Sequence, residues 1–216
     1  MSNKAETRER LVESARQLFW KQGYGATGIA EILKAADAGS GSLYYFFPTK
    51  EDLLLAVLAW YKANLWPQVV EPVFQRVSDP IERIFGILDG YRQGLLYTKF
   101  EQGCPVGNLA LELSNSLPGA RGRLAENFSG WRDATKLCLD AAAGRLPAET
   151  DREALALFVL TTMEGAVMLA RTYRTIEPYD NAVTLLRDYF ERLLKDGSEW
   201  SVGRSGARRG KSKAAK

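Results

Sequence analysis

Histidine is absent from the 216 residues. That excludes Ser-His-Asp and Cys-His catalysis and every metal site that needs an imidazole. The two cysteines, Cys104 and Cys138, are too few for a disulfide framework. Long apolar runs are missing as well: the longest, "LLLAVLAWY" (Leu53 to Tyr61), falls well short of the ~20 residues of a membrane span. The N-terminus "MSNKAETRER" has no apolar core of a signal peptide. "GCPVGN" lacks the Gly-x4-Gly-Lys spacing of a phosphate loop. No carboxylate pair is spaced for acid–base work, and Glu112 and Glu164 have no evident partner. These absences predict a cytoplasmic protein with no membrane partner, no metal and no cofactor, and weigh against an enzyme without removing that reading.

What is present is helical patterning. The chain is 46% hydrophobic and 25% charged, enough for a packed core. Apolar residues recur at helical spacing almost throughout: Leu11, Ala15, Leu18 and Phe19 over 5–22; Ile29, Ile32 and Leu33 over 28–36; Ile81, Ile84, Phe85 and Leu88 after an Asp79-Pro80 start signal. Leu124, Phe128, Trp131 and Cys138 share one face of a long helix. Two further helices span about 151–175 and 179–195. Strand alternation and internal repeats are not found, so the fold is all-α. Thr27 is placed to cap the second helix, and Thr49 with Asp52 to form a capping box at the fourth.

The densest signal is "SGSLYYFFPTKEDLL", Ser40 to Leu54. A helix, a tight turn ("ADAGS") and a short helix form a helix-turn-helix over about 28–47. Leu43, Phe46 and Phe47 are expected in the core. Tyr44 and Tyr45 are adjacent on a helix, so both cannot point inward. Gly41 costs about 1 kcal/mol against alanine in a helix, which indicates that close approach of a partner matters there. Charges over Met1 to Leu55 balance at seven basic and seven acidic, so binding to DNA cannot rest on bulk charge.

"TRERLVESARQLFWKQGYGATGIAEILKAADAGSGSLYYFFPTKEDLL" (Thr7 to Leu54) resembles the N-terminal domain of the TetR family of bacterial transcriptional regulators. The resemblance implies a three-helix helix-turn-helix domain over 1–50 and a helical ligand-binding and dimerisation domain over 51–196; the composition of 197–216, basic with almost no apolar content, predicts a disordered tail. It places Thr27, Tyr44 and Lys50 at phosphate contacts, with Ser40, Gly41, Ser42 and Tyr45 toward the groove. It implies a homodimer on a near-palindromic duplex, released by a small-molecule effector. The turn departs from the family's usual Ala-Gly-Val-Ser-Lys: here it reads Ala36-Asp37-Ala38-Gly39-Ser40.

"GCPVGNLALELSN" (Gly103 to Asn115) resembles one branch of the family, whose members are similar to repressors that respond to electrophiles or flavonoid-like compounds. Cys104 at a helix start would have its thiol pKa lowered by the helix dipole. Tyr91, Leu95, Phe100, Cys104, Asn108, Phe128, Trp131 and Met163 form the candidate effector set. The rival readings are an all-helical enzyme or small-molecule carrier that keeps the helix-turn-helix as a packing element, and a regulator governed by a protein partner.

Overall fold

A computed structural model describes residues 2–206, with side chains over 4–194. The described residues are helical and contain no strand. Helix α1 (Ser2–Gln22) packs on α2 (Ile29–Ala35) and α3 (Ser40–Phe46). Leu11, Ala15, Phe19, Ile32, Leu43 and Phe47 form the buried centre of this head, with Phe46 half-buried against it. Helix α4 (Lys50–Leu65) leaves the head and runs into the larger body, where it lies along α8 (Pro118–Ala141). Its start carries both halves of the Thr49–Asp52 capping box.

Helix α4 passes into a π-helical turn, Trp66–Val70, and then α5 (Glu71–Arg76). A π-turn is rare and favours functional sites, because it rotates side chains out of the regular stripe. Helix α6 (Pro80–Tyr97) starts with Asp79 accepting from the Ile81 and Glu82 amides. The short α7 (Pro105–Leu113) connects the head to α8. Helices α9 (Arg152–Tyr173) and α10 (Glu177–Gly206) close the body, α9 packing on both α8 and α10. By length and composition α9 could cross a membrane. Here its Ala156, Val159, Met163, Ala166 and Ala170 are buried in the protein core.

Two local expectations change. Thr27 does not cap α2: Gly28 occupies the cap position in extended conformation, and the Thr27 hydroxyl turns inward to donate to the Gly23 carbonyl at 2.6 Å. The tail is not irregular from residue 197, since α10 continues to Gly206. Extending an existing helix adds one hydrogen bond for each residue fixed, so a polar end can stay helical where an isolated segment would not. The remainder of the expected tail, 207–216, lies outside the described residues.

Candidate nucleic-acid interface and effector cavities

The turn between α2 and α3 is built as a helix-turn-helix requires. Asp37 takes a left-handed conformation (φ 47°), which Asp tolerates better than most residues. Gly39 caps α3 in extended conformation. From α1, Arg10 reaches over and donates through Nε to the Ala36 carbonyl at 3.0 Å and through Nη2 to the Asp37 carbonyl at 3.3 Å. The turn is thus pinned to α1 by a cation that satisfies carbonyls no helix bond can reach.

On α3, Leu43 is fully buried while Tyr44 and Tyr45 are 53% and 67% exposed. Ser40 and Gly41 are exposed and Ser42 is half-buried. Tyr45 is held edge-on to Phe46, with ring centroids 4.9 Å apart, and the Lys4 ammonium lies 4.8 Å from its ring. Lys50 is half-buried; its Nζ donates to the Tyr24 carbonyl at 2.5 Å and sits 4.2 Å from the Tyr24 ring. Burial pulls the Lys50 ammonium below its ordinary pKa. Thr27 is 1% exposed, so its hydroxyl cannot serve as the surface contact the sequence suggested.

Behind the head lie two cavities of about 370 and 240 Å³ that share Trp20, Gln68, Val69, Tyr91 and Pro105 as walls. Gln68 and Val69 come from the π-turn. The larger is bounded by Gly86, Gly90, Gly94 and Leu95 of α6. The smaller is aromatic, walled by Trp20, Trp60, Tyr61, Tyr91, Phe128 and Trp131. There the Trp131 indole donates to the Tyr91 hydroxyl at 2.9 Å. The Tyr61 hydroxyl is buried beside the Arg16 guanidinium, and burial drives its pKa up. Neither cavity is lined by an acidic side chain, whereas Arg16 lines one and Arg76 the other. A third, open cleft of about 980 Å³ between α7 and α9 is lined by Cys104, Asn108, Phe128, Glu164 and Arg171. In it Arg171 donates to Asn108 Oδ1 at 3.1 Å.

The structure therefore brings Tyr91, Leu95, Cys104, Asn108, Phe128 and Trp131 to cavity walls. Met163 is core and Phe100 packs against the core; neither lines one of these cavities. The expected acidic thiol at Cys104 is corrected. Cys104 does cap α7, its Sγ accepting from the Gly107 amide at 3.3 Å. Yet burial, and then the nearby Glu164 carboxylate, push its pKa well above the ordinary thiol value. Desolvation outweighs the helix start. Glu164 is itself raised by burial, and its Oε1 is buried without a partner.

The sequence reading missed Trp20, whose indole N–H donates to the Gly103 carbonyl at 2.7 Å. It also missed Glu112, whose carboxylate accepts from the Tyr24 amide at 2.9 Å and the Gly25 amide at 2.5 Å. A side chain at Gly25 would put its Cβ 2.9 Å from that carboxylate, and Gly23 takes a positive φ of 88°. The Gly86, Gly90, Gly94 series was legible as glycines four apart on one helix face.

An exposed, pinned recognition helix on a cavity-bearing helical body defines a DNA-binding transcriptional regulator of the helix-turn-helix class. Residues 11–57 match the family described as bacterial regulatory proteins, tetR family, and residues 80–186 match the tetracyclin repressor-like C-terminal domain. The chain is 32% identical over 196 residues to an HTH-type transcriptional regulator of Mycobacterium tuberculosis H37Rv, covering 88% of this chain and 97% of that one. It is 28% identical to the HTH-type transcriptional repressor DhaR of Mycobacterium sp. strain GP1, covering 87% and 92%. A regulatory protein TetR from Rhodobacter sphaeroides superposes with a TM-score of 0.74 at 27% identity, covering 82% and 95%. The chain belongs to the TetR family of bacterial transcriptional regulators.

Proposed function

We propose that the protein is a cytoplasmic, homodimeric repressor without enzymatic activity. It holds a near-palindromic operator through residues 1–50 and is released by a small aromatic effector bound within residues 51–196. The observation that carries this reading is the position of Trp20. It belongs to α1 of the head, yet it walls both effector cavities. A ligand there touches the head directly, so the two functions share a side chain.

Phosphate contacts are assigned to Tyr44 and Lys50, and groove contacts to Ser40, Gly41, Ser42 and Tyr45. Lys50 acts in part by holding the Tyr24 carbonyl. The dimer interface is assigned to α9 and α10, where Leu157, Phe158, Met168, Leu169, Tyr173, Leu185 and Tyr189 are exposed. A patch of this kind on a monomer marks a protein contact. A twofold pair then places the heads about 34 to 36 Å apart, one turn of duplex. The effector is assigned as neutral or anionic: the two cavities behind the head carry guanidinium groups and no carboxylate. Covalent sensing at Cys104 is disfavoured by its buried, high-pKa thiol.

The test is a gel shift against the protein's own upstream region, followed by titration with neutral, anionic and cationic aromatic compounds. Specific retardation that neutral or anionic aromatics reverse is expected. Absence of a specific shift from folded dimer would refute the operator assignment; release by cationic compounds alone would refute the effector class.

A further inference from the structure

Recognition helix α3 reads SGSLYYF and contains no Arg, Lys, Asn, Gln, Asp or Glu. In the major groove, guanine is read by Arg or Lys on O6 and N7, adenine by Asn or Gln, and cytosine by Asp or Glu. None of those partners stands on this helix. What α3 presents is the exposed Ser40 and half-buried Ser42 hydroxyls, which pair with any base edge, and the exposed rings of Tyr44 and Tyr45. Apolar carbon in the major groove has one distinctive complement, the C5 methyl of thymine.

Three further observations point the same way. A Cβ built on Gly41 meets nothing within 4 Å, so no packing inside the protein demands glycine there. The bare backbone lets α3 approach a partner closely. Second, Tyr45 is oriented before DNA arrives, by the edge contact with Phe46 and by the Lys4 ammonium over its ring. A preset aromatic surface loses little freedom on binding. Third, the cations around α3 all stand on other elements. Lys4 and Arg8 are on α1 against the rings of Tyr45 and Phe47, Arg10 is engaged with the turn carbonyls, and Lys34 is on α2. Flanking cations suit phosphates, which position without specifying sequence.

We infer that this protein selects its operator through thymine methyl groups, with Tyr45 as the specificity-determining residue and Gly41 admitting the close approach. This rests on the operator-binding reading above. Each half-site then carries a thymine facing Tyr45, and the atom recognised is the methyl carbon.

The full-length protein would be used to select duplexes from a randomised library. Each thymine of the selected sequence would then be replaced by deoxyuridine, which removes the methyl and nothing else, and affinity measured at fixed salt. Burying one methyl is worth ~0.8 kcal/mol, about fourfold in affinity, so a symmetric pair should cost about 15-fold. In Tyr45→Ala, an exposed position that leaves the core intact, the deoxyuridine penalty should vanish while residual binding persists. Indifference to deoxyuridine at every position, with loss of binding on 7-deazaguanine substitution, would overturn the inference and leave operator binding standing. A deoxyuridine penalty that survives Tyr45→Ala would overturn the assignment to Tyr45. No enrichment of any sequence would sink the operator reading itself.

Discussion

Gly90 sits in the middle of α6, where glycine is a poor helix former, and a Cβ built on it meets nothing within 4 Å. Replacing it with alanine removes backbone freedom from the unfolded chain and should stabilise by roughly 0.5 to 1 kcal/mol. For a chain of this length that is about 1 to 4 °C in Tm. Gly86 lies one turn earlier on the same face, and there the added Cβ would come 2.8 Å from Val73 Cγ1. Val73 is buried and β-branched, so it cannot swing aside. Overpacking costs about 1 to 3 kcal/mol, so Gly86→Ala should be neutral to destabilising. The pair isolates the contact with Val73 from helix propensity, because the propensity gain is common to both. Thermal melts at one fixed protein concentration decide it, since a dimer's Tm depends on concentration. A Gly90→Ala melt below wild type, or a Gly86→Ala gain equal to that of Gly90→Ala, would refute the reading that Gly90 faces open space while Gly86 is closed off by Val73. Gly90→Leu carries the idea into function: a side chain filling the 370 Å³ space should leave operator binding intact and abolish release by the effector.

The Cys104 thiol is pushed up, so its thiolate, and with it the iodoacetamide rate, should stay negligible near neutrality and climb only at pH above the ordinary thiol range; brisk alkylation at pH 7 would contradict the burial. The same shift makes the stability tied to this thiol complete below about pH 8.5, the unfolded value, and lost as pH rises toward the folded one. Asp37→Asn keeps the left-handed turn and deletes an exposed negative charge, and should tighten binding to any duplex by up to about fivefold per head, about 30-fold for the twofold pair, from roughly 1 kcal/mol of Coulomb energy at 4 Å in water for each. Glu112→Ala removes the acceptor of two amide bonds on the exposed α1–α2 corner and should cost about 1 kcal/mol of stability, while weakening effector-driven release more than operator binding itself, as read by paired gel shifts with and without effector.

The head was legible because its signals are local. The Thr49–Asp52 box, the left-handed Asp37 and the buried Leu43 beside exposed Tyr44 and Tyr45 all follow from residues within a few positions of one another. Thr27 misled for the same reason: a hydroxyl before a helix is a good cap by sequence, but here it donates to the Gly23 carbonyl instead. Cys104 misled because a helix start is visible in sequence while burial beside Glu164 is not. The cavities required contacts far apart in the chain. Trp20 meets Gly103 across 83 positions, and Tyr91 meets Trp131 across 40. The π-turn that supplies Gln68 and Val69 leaves no mark in the apolar pattern beyond Pro67.

Helix α7 explains how a cavity and a head can be read together. It is nine residues long, entered through Gly103 and Pro105 and left through a turn before Pro118. Both of its ends are tied to the same corner of the head: Trp20 bonds to Gly103 just before it, and Glu112 near its end holds the Tyr24 and Gly25 amides. Tyr24 in turn passes its carbonyl to Lys50, the first residue of α4. Under the repressor proposal, a ligand wedged between Trp20, Tyr91 and Pro105 would press on α7 at its start and, through the Trp20 and Glu112 bonds, on the corner that precedes α2. On the proposed reading the coupling need be only about 1 to 3 kcal/mol, and by linkage the operator must weaken the effector by the same factor. A handful of hydrogen bonds at that corner is of the right size, since each charge-assisted bond is worth about 1.5 to 3 kcal/mol before exposure reduces it.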